Sequence, residues 1–143
     1  MTAEESRDTP RQPVGDVYDW YQRGQTLLDQ GHPAAAAELL TWVAAAEPEA
    51  RHVRETLGRA YLAVGRYDDA EQEFAHLVDA QPDDDYAHVG LGLACARQGR
   101  FGEAAEHLAL AVAMRPDREE YVRSLEQVRA TLRAQAERPK PLT

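Results

Sequence analysis

The sequence predicts an all-α stack of three helix-turn-helix units closed by one more helix. Two observations carry this. The stretch 56–82, TLGRAYLAVGRYDDAEQEFAHLVDAQP, reads as a helix, a tight turn and a second helix. The same pattern recurs 34 residues upstream and 34 residues downstream. Gly58 has counterparts in Gly24 and Gly92, Gly65 in Gly31 and Gly99, Ala70 in Ala36 and Ala104, and Pro82 in Pro48 and Pro116. A fixed period of this size marks stacked supersecondary units, none of which buries its apolar face alone.

Within the central unit, Leu57, Tyr61, Leu62 and Val64 mark the buried side of the first helix. Gly58 lies mid-helix, where glycine costs ~1 kcal/mol against alanine. Its presence points to another backbone coming close. Gly65 ends the helix by accepting the left-handed geometry of a C-cap. Ala70, Phe74, Leu77 and Val78 form the apolar stripe of the second helix, and Pro82 stops it.

Taken in order, residues 1–15 are polar, with Pro10, Pro13 and Gly15, and read as a disordered arm. Asp16 with Asp19 offers a partial capping box for a helix over 17–30. Pro33 suits the first turn of a second helix reaching 46, whose small residues 34–37 allow close helix approach. Helices follow over 50–64 and 67–80. Asp83, Asp84 and Asp85 stand where carboxylates favour the positive end of a fifth helix reaching 98, and a sixth covers 101–114. Short connections make neighbours antiparallel. Asp117 with Glu120 opens a seventh helix to 136, with Tyr121, Val122, Leu125, Val128, Leu132 and Ala136 on one face. Its outer positions Glu126 and Arg129 suit a solvating cap for an open-ended stack. Residues 137–143 read as a frayed tail.

These residues resemble the tetratricopeptide repeat family. The family favours a large aromatic at repeat position four, leucine at seven, small residues at eight, twenty and twenty-seven, tyrosine at eleven, an aromatic near twenty-four and proline at thirty-two. Trp20 fills position four of the first repeat. Leu57, Gly58, Tyr61, Ala70, Phe74 and Pro82 fill their positions in the second, and Leu91, Gly92, Ala104, Ala111 and Pro116 in the third. The departures are Arg23 at a leucine position, Leu27 and Cys95 at tyrosine positions, and Arg54 and His88 at position four. The resemblance implies a right-handed α-solenoid with repeats at 17–50, 51–84 and 85–118 and a capping helix at 118–136, one domain over 16–136.

Composition sets bounds on function. Asp plus Glu outnumber Lys plus Arg by 25 to 16, a net charge of −9. That disfavours nonspecific nucleic-acid binding, which needs a basic face to displace counterions, and an anionic membrane surface. One cysteine, Cys95, excludes an intramolecular disulfide and a cysteine-based metal cage. No apolar run nears the ~20 residues of a membrane span. Residues 1–15 have no apolar core of a secretory signal, so cytoplasmic residence is the default expectation. The chain has no Ile or Asn, Lys140 is its only lysine, and Ala and Arg abound. GC-rich bacterial genomes show that bias.

Nothing in the sequence points to catalysis, a cofactor or a metal. There is no phosphate loop, HExxH or nucleophile elbow. His32, His52, His76, His88 and His107 fall in a turn and four different helices, as packing or surface histidines do. Cys95, at an inward position, reads as a small buried hydrophobe, and the Asp83 to Asp85 run as a solvated helix start.

Recognition remains. By the resemblance, the first helix of each pair lines a concave face. The lining positions hold Tyr18, Tyr21, Gln25, Leu28 and Asp29, then His52, Glu55, Arg59, Leu62 and Ala63, then Tyr86, Val89, Leu93, Ala96 and Arg97. The seventh helix adds Arg123 and Gln127. Tyrosine and arginine are favoured at binding hot spots, and Arg59, Arg97 and Arg123 suit an acidic peptide or a terminal carboxylate. Some family members clamp chaperone C-termini with Lys, Asn and Arg. Here those positions hold Tyr21, Gln25, Thr56, Tyr86 and Gly90, so a chaperone tail is not the expected ligand. Trp42 falls at position twenty-six, usually polar and outward. Either it contacts a partner or a second protomer, or the N-terminal arm or a shift of register covers it. The expected function is a noncatalytic scaffold binding a protein or peptide in its groove, as a monomer or weak homo-oligomer. The alternatives are a self-associating module built around Trp42 and, more remotely, an enzyme accessory or metal-binding subunit.

Overall fold

The computed structural model describes residues 11–139. Among them are seven helices and no strand: α1 (Val17–Asp29), α2 (Pro33–Ala46), α3 (Arg51–Val64), α4 (Tyr67–Ala80), α5 (Asp85–Arg97), α6 (Phe101–Met114) and α7 (Glu119–Ala136). Each hairpin turns on a glycine in the left-handed region: Gly31 (φ 84°), Gly65 (84°) and Gly99 (82°). Side chains with a Cβ rarely adopt that conformation, so three equivalent turns rest on one residue type.

Consecutive helices pack in chain order, and each first helix also touches the next first helix: α1 on α3, α3 on α5, α5 on α7. The second helices α2, α4 and α6 make no such contact with one another. A row closed on one side and splayed on the other must curve. The first helices therefore line the inner wall of an α-solenoid, as expected.

The core is built from the repeat. Leu40, Phe74 and Leu108 are fully buried, and each points at a glycine on its own hairpin's first helix. A Cβ on Gly24 would come within 2.8 Å of Leu40, one on Gly58 within 2.8 Å of Phe74, and one on Gly92 within 2.9 Å of Leu108. This corrects the expected backbone approach. At Gly24 and Gly58 the glycine makes room for a side chain, and only at Gly92 does a backbone atom, the Ala104 carbonyl oxygen at 3.1 Å, share the space.

Position four keeps one hydrogen bond through three different side chains. Trp20 Nε1 donates to the Val14 carbonyl (3.2 Å), Arg54 Nε to Pro48 (2.8 Å) and His88 Nε2 to Pro82 (2.8 Å). In each case the acceptor lies six residues back. Arg54 and His88 thus depart from the family pattern in aromatic bulk while preserving its donor.

Two helix starts differ from expectation. Residues 1–10 and 140–143 lie outside the described residues, but Val14 is tied down by Trp20 and by Arg23 Nη1 (2.9 Å). The Asp16–Asp19 capping box forms completely. At α7, Asp117 does not cap. It pairs with Arg115 (2.9 Å), the helix starts at Glu119, and Arg118 occupies the N-cap without a side-chain bond. A planar guanidinium two residues away takes both carboxylate oxygens. The cap packs through Tyr121, Leu125 and Val128, all buried, and Tyr121 Oη donates to Asp85 at 2.8 Å.

Candidate binding groove

Three hollows meet on the inner wall, and Leu93 of α5 lines all three. The first, about 460 Å³, lies between α5 and α7 and is bounded by Glu55, Tyr86, Val89, Arg118 and Tyr121. The second, about 310 Å³, opens beside Arg97, Phe101, Gln127 and Thr131. The third, about 320 Å³, lies across α3 and α5 between Arg59, Leu62, Tyr67 and Arg97. Of the expected lining residues, Glu55, Arg59, Leu62, Ala63, Tyr86, Val89, Leu93, Ala96, Arg97 and Gln127 are brought together here.

The α1 residues are not part of this groove. Tyr18 is 69% exposed and shares only a cleft of about 90 Å³ with Tyr21 and His52. Tyr21 Oη and Gln25 Nε2 bond internally. Gln25 Nε2 donates to Tyr21 Oη (2.9 Å), Tyr21 donates to Thr56 Oγ1 (3.3 Å), and Thr56 donates to the His52 carbonyl (2.8 Å). His52 closes the set by standing edge-on to Tyr21 with ring centroids 5.0 Å apart. This chain of bonds ties α1 to α3. Arg123 lines none of these hollows, and Ser124, Gln127 and Thr131 face them from α7 instead.

Charge divides the groove. Burial, then the nearby Asp84, raise the Glu55 carboxyl above its usual range, with Arg59 pulling the other way. Burial raises the Tyr86 phenol, also against Arg59. At the other end, Arg59 and Arg97 have no ion-pair partner among the described residues, whereas Arg51, Arg54, Arg66, Arg100, Arg115 and Arg118 each hold a carboxylate.

A separate concavity of about 660 Å³ runs along α2, lined by Ala34, Glu38, Thr41, Trp42, Ala45, Tyr61 and Arg66. Trp42 is half-buried, not fully exposed. Its ring meets the buried Trp20 edge-on at 6.5 Å, and the Arg66 guanidinium lies 4.6 Å over the Tyr61 ring nearby. Trp20 on the facing helix is what covers one side of Trp42.

Two polar clusters lie away from the groove. His88, 4% exposed, faces His107 with Nδ1 atoms 3.2 Å apart. Ligand atoms of Glu71, Cys95 and Glu103 lie within 4.8 Å of one another. A metal there would have to displace what the trio already holds. Arg100 takes both oxygens of Glu71 at 2.5 and 2.6 Å, and burial pushes the Cys95 thiol up to about 11, whereas a metal needs the thiolate.

The sequence left several lining residues unmarked. Tyr67 and Phe101 come from the first turns of second helices, and Arg115 and Arg118 from a connection. None stands at a periodic inner position of a first helix, so register alone does not find them.

Comparison with known proteins agrees with the architecture. A family model described as tetratricopeptide repeat matches residues 21–63 and 55–119, more than half the chain. The chain belongs to the tetratricopeptide repeat family. No curated protein matches the sequence. Among solved structures, a MamA chain (41-end) from Desulfovibrio magneticus RS-1 is similar at 24% identity and a TM-score of 0.77 over 81% of this chain. The chain spans 66% of that MamA chain, less than two thirds of its length. The Sgt2 tetratricopeptide domain from Aspergillus fumigatus is similar at 19% identity, TM-score 0.77, over 94% of both chains. The second such domain of human RPAP3, solved with the HSP70 peptide SGPTIEEVD, is similar at 19% identity, TM-score 0.71, over 80% of this chain and 98% of that one. At these identities the likeness concerns the fold. No helix among the described residues of this tetratricopeptide repeat chain is long and apolar enough to cross a membrane.

Proposed function

We propose that this chain is a noncatalytic scaffold that holds a segment of a partner protein on its inner wall. The convergence of three hollows on Leu93 carries this reading. The buried Val89 and the half-buried Leu62 and Leu93 supply apolar area, and Tyr86 and two arginines supply direction. A peptide in the RPAP3 domain supports the reading by analogy of fold. Because area does not fix affinity, a groove this short should bind on the order of micromolar.

The test is affinity purification from native extract, comparing wild type with an Arg59→Ala, Tyr86→Ala, Leu93→Ala variant of equal helicity and melting temperature. A partner lost only in the variant is the expected result. A partner kept by both places the contact elsewhere on the molecule.

The α2 hollow favours a second reading, self-association through the face around Trp42. Light scattering over a concentration series should then show mass rising with concentration, and Trp42→Ala should abolish the rise. A constant monomer mass rejects it.

A further inference from the structure

Resting on the groove reading above, we infer that the bound segment carries an acidic side chain next to an apolar one. The carboxylate sits between Arg59 and Arg97, and the apolar neighbour sits on Leu62 and Leu93.

Three observations carry this. Both arginines line the same hollow of about 320 Å³, whose floor is Leu62, Ala63 and Leu93. Neither has an ion-pair partner among the described residues, on a chain of net charge −9. Glu55, one turn before Arg59, lines the neighbouring hollow and not this one. Two guanidinium forks over an apolar floor suit a carboxylate flanked by hydrocarbon, because Arg binds carboxylate in a planar, two-bond geometry.

On the α1–α3 side the candidate donors Gln25, Tyr21 and Thr56 already bond to one another and to the His52 carbonyl. That side offers a carboxylate only a remaining Gln25 N–H and the His52 ring, less than two guanidinium forks do. Nucleic acid is a poor occupant, since two arginines on an acidic chain displace few counterions. The competing role for Arg97 is local. It lies in the last turn of α5, where a cation favours the negative end of the helix dipole.

The test is selection from a random dodecapeptide display library on the immobilised full-length chain, followed by fluorescence anisotropy with the synthetic winners. Wild type, Leu93→Ala and the double variant Arg59→Glu/Arg97→Glu are compared, with helicity checked by circular dichroism. Winners should be enriched in Glu or Asp beside Leu, Phe or Met. They should weaken about tenfold or more against the double variant and with rising salt, and the double variant should itself select Lys- or Arg-rich peptides. Winners that are neutral or basic, or that bind the double variant as well as wild type, overturn the inference. If those same winners are lost with Leu93→Ala, the groove reading stands without it. If no recovered peptide depends on Leu93, the groove reading fails and takes the inference with it.

Discussion

Arg54 Nε donates to the Pro48 carbonyl at 2.8 Å while its Nη1 holds Glu73 at 3.0 Å. One guanidinium thus replaces an indole as the link from a first helix back to the preceding turn and adds a bond to the second helix. In the first hairpin the corresponding residues are Trp20 and Leu39, both buried. Arg54→Ala should cost about 1–3 kcal/mol in urea unfolding, since it strands a carbonyl and a carboxylate that is only 17% exposed. The double change Arg54→Trp/Glu73→Leu, which installs the first hairpin's solution, should recover most of that. A double variant no more stable than Arg54→Ala would show that the two hairpins are not interchangeable here.

His88 and His107 lock a specific proton arrangement. The Pro82 carbonyl only accepts, so His88 Nε2 carries hydrogen, and its Nδ1 must accept from His107 Nδ1–H when both rings are neutral. Burial first, then His88, lower the pKa of His107 below the usual histidine value, against Glu106, Glu103 and Glu71, which raise it. With the folded value depressed, the unfolded chain binds more protons near pH 6.5, so stability falls as pH drops through that value. Glu71, lowered by Arg100 above all, acts in a separate window, losing its contribution only as pH falls below about 4.5. The raised Glu55 carboxyl works the other way, adding stability as pH falls toward its own range. The His107 effect is therefore read as the difference in unfolding free energy between wild type and His107→Gln, which should decline between about pH 7.5 and 5.5. An equal slope in the variant would assign the pH dependence to other groups.

The fold was legible because the repeat writes it three times: the turn glycines Gly31, Gly65 and Gly99, and the pairs Gly24–Leu40, Gly58–Phe74 and Gly92–Leu108. What stayed hidden depends on contacts between helices. Arg54 and His88 looked like losses of an aromatic because a pattern of bulk does not register a shared donor. Trp42 looked outward by position, but Trp20 on the facing helix covers one side of it. Asp117 had two partners in reach, a helix start and Arg115, and sequence does not rank them. Tyr21 and Gln25 sit at i, i+4 on one face, which predicts that they meet. It does not predict that Thr56 on α3 completes the chain of bonds.

Of the glycines, Gly90 leaves the least room for a Cβ. A Cβ there would fall within the van der Waals envelope of the Phe74 ring, which is fully buried and has nowhere to move. Gly90→Ala should therefore lose about 1–3 kcal/mol by overpacking, outweighing alanine's better helix propensity. Gly102 has a helical backbone and nothing within 4 Å of the place its Cβ would take, so Gly102→Ala should gain about 0.5 kcal/mol. Opposite signs from the same substitution at two helical sites separate packing from propensity. Two gains would mean that Phe74 yields more readily than its burial implies.

Cys95 should be inert while the chain is folded. Its Sγ is buried, 3.8 Å from Glu71 and 3.9 Å from Glu103, and burial foremost pushes the thiol up to about 11. At about pH 8 the thiolate, the reactive form, is scarce and shielded. A colorimetric disulfide reagent should label the native chain slowly, at the rate of local opening, and completely within the dead time once guanidinium unfolds it. Zinc should leave the melting temperature unchanged, because Arg100 holds Glu71 and the thiol keeps its proton. Fast native labelling, or a rise in melting temperature with zinc that Cys95→Ala removes, would mean that the Arg100–Glu71 pair opens and that this trio is a ligand set after all.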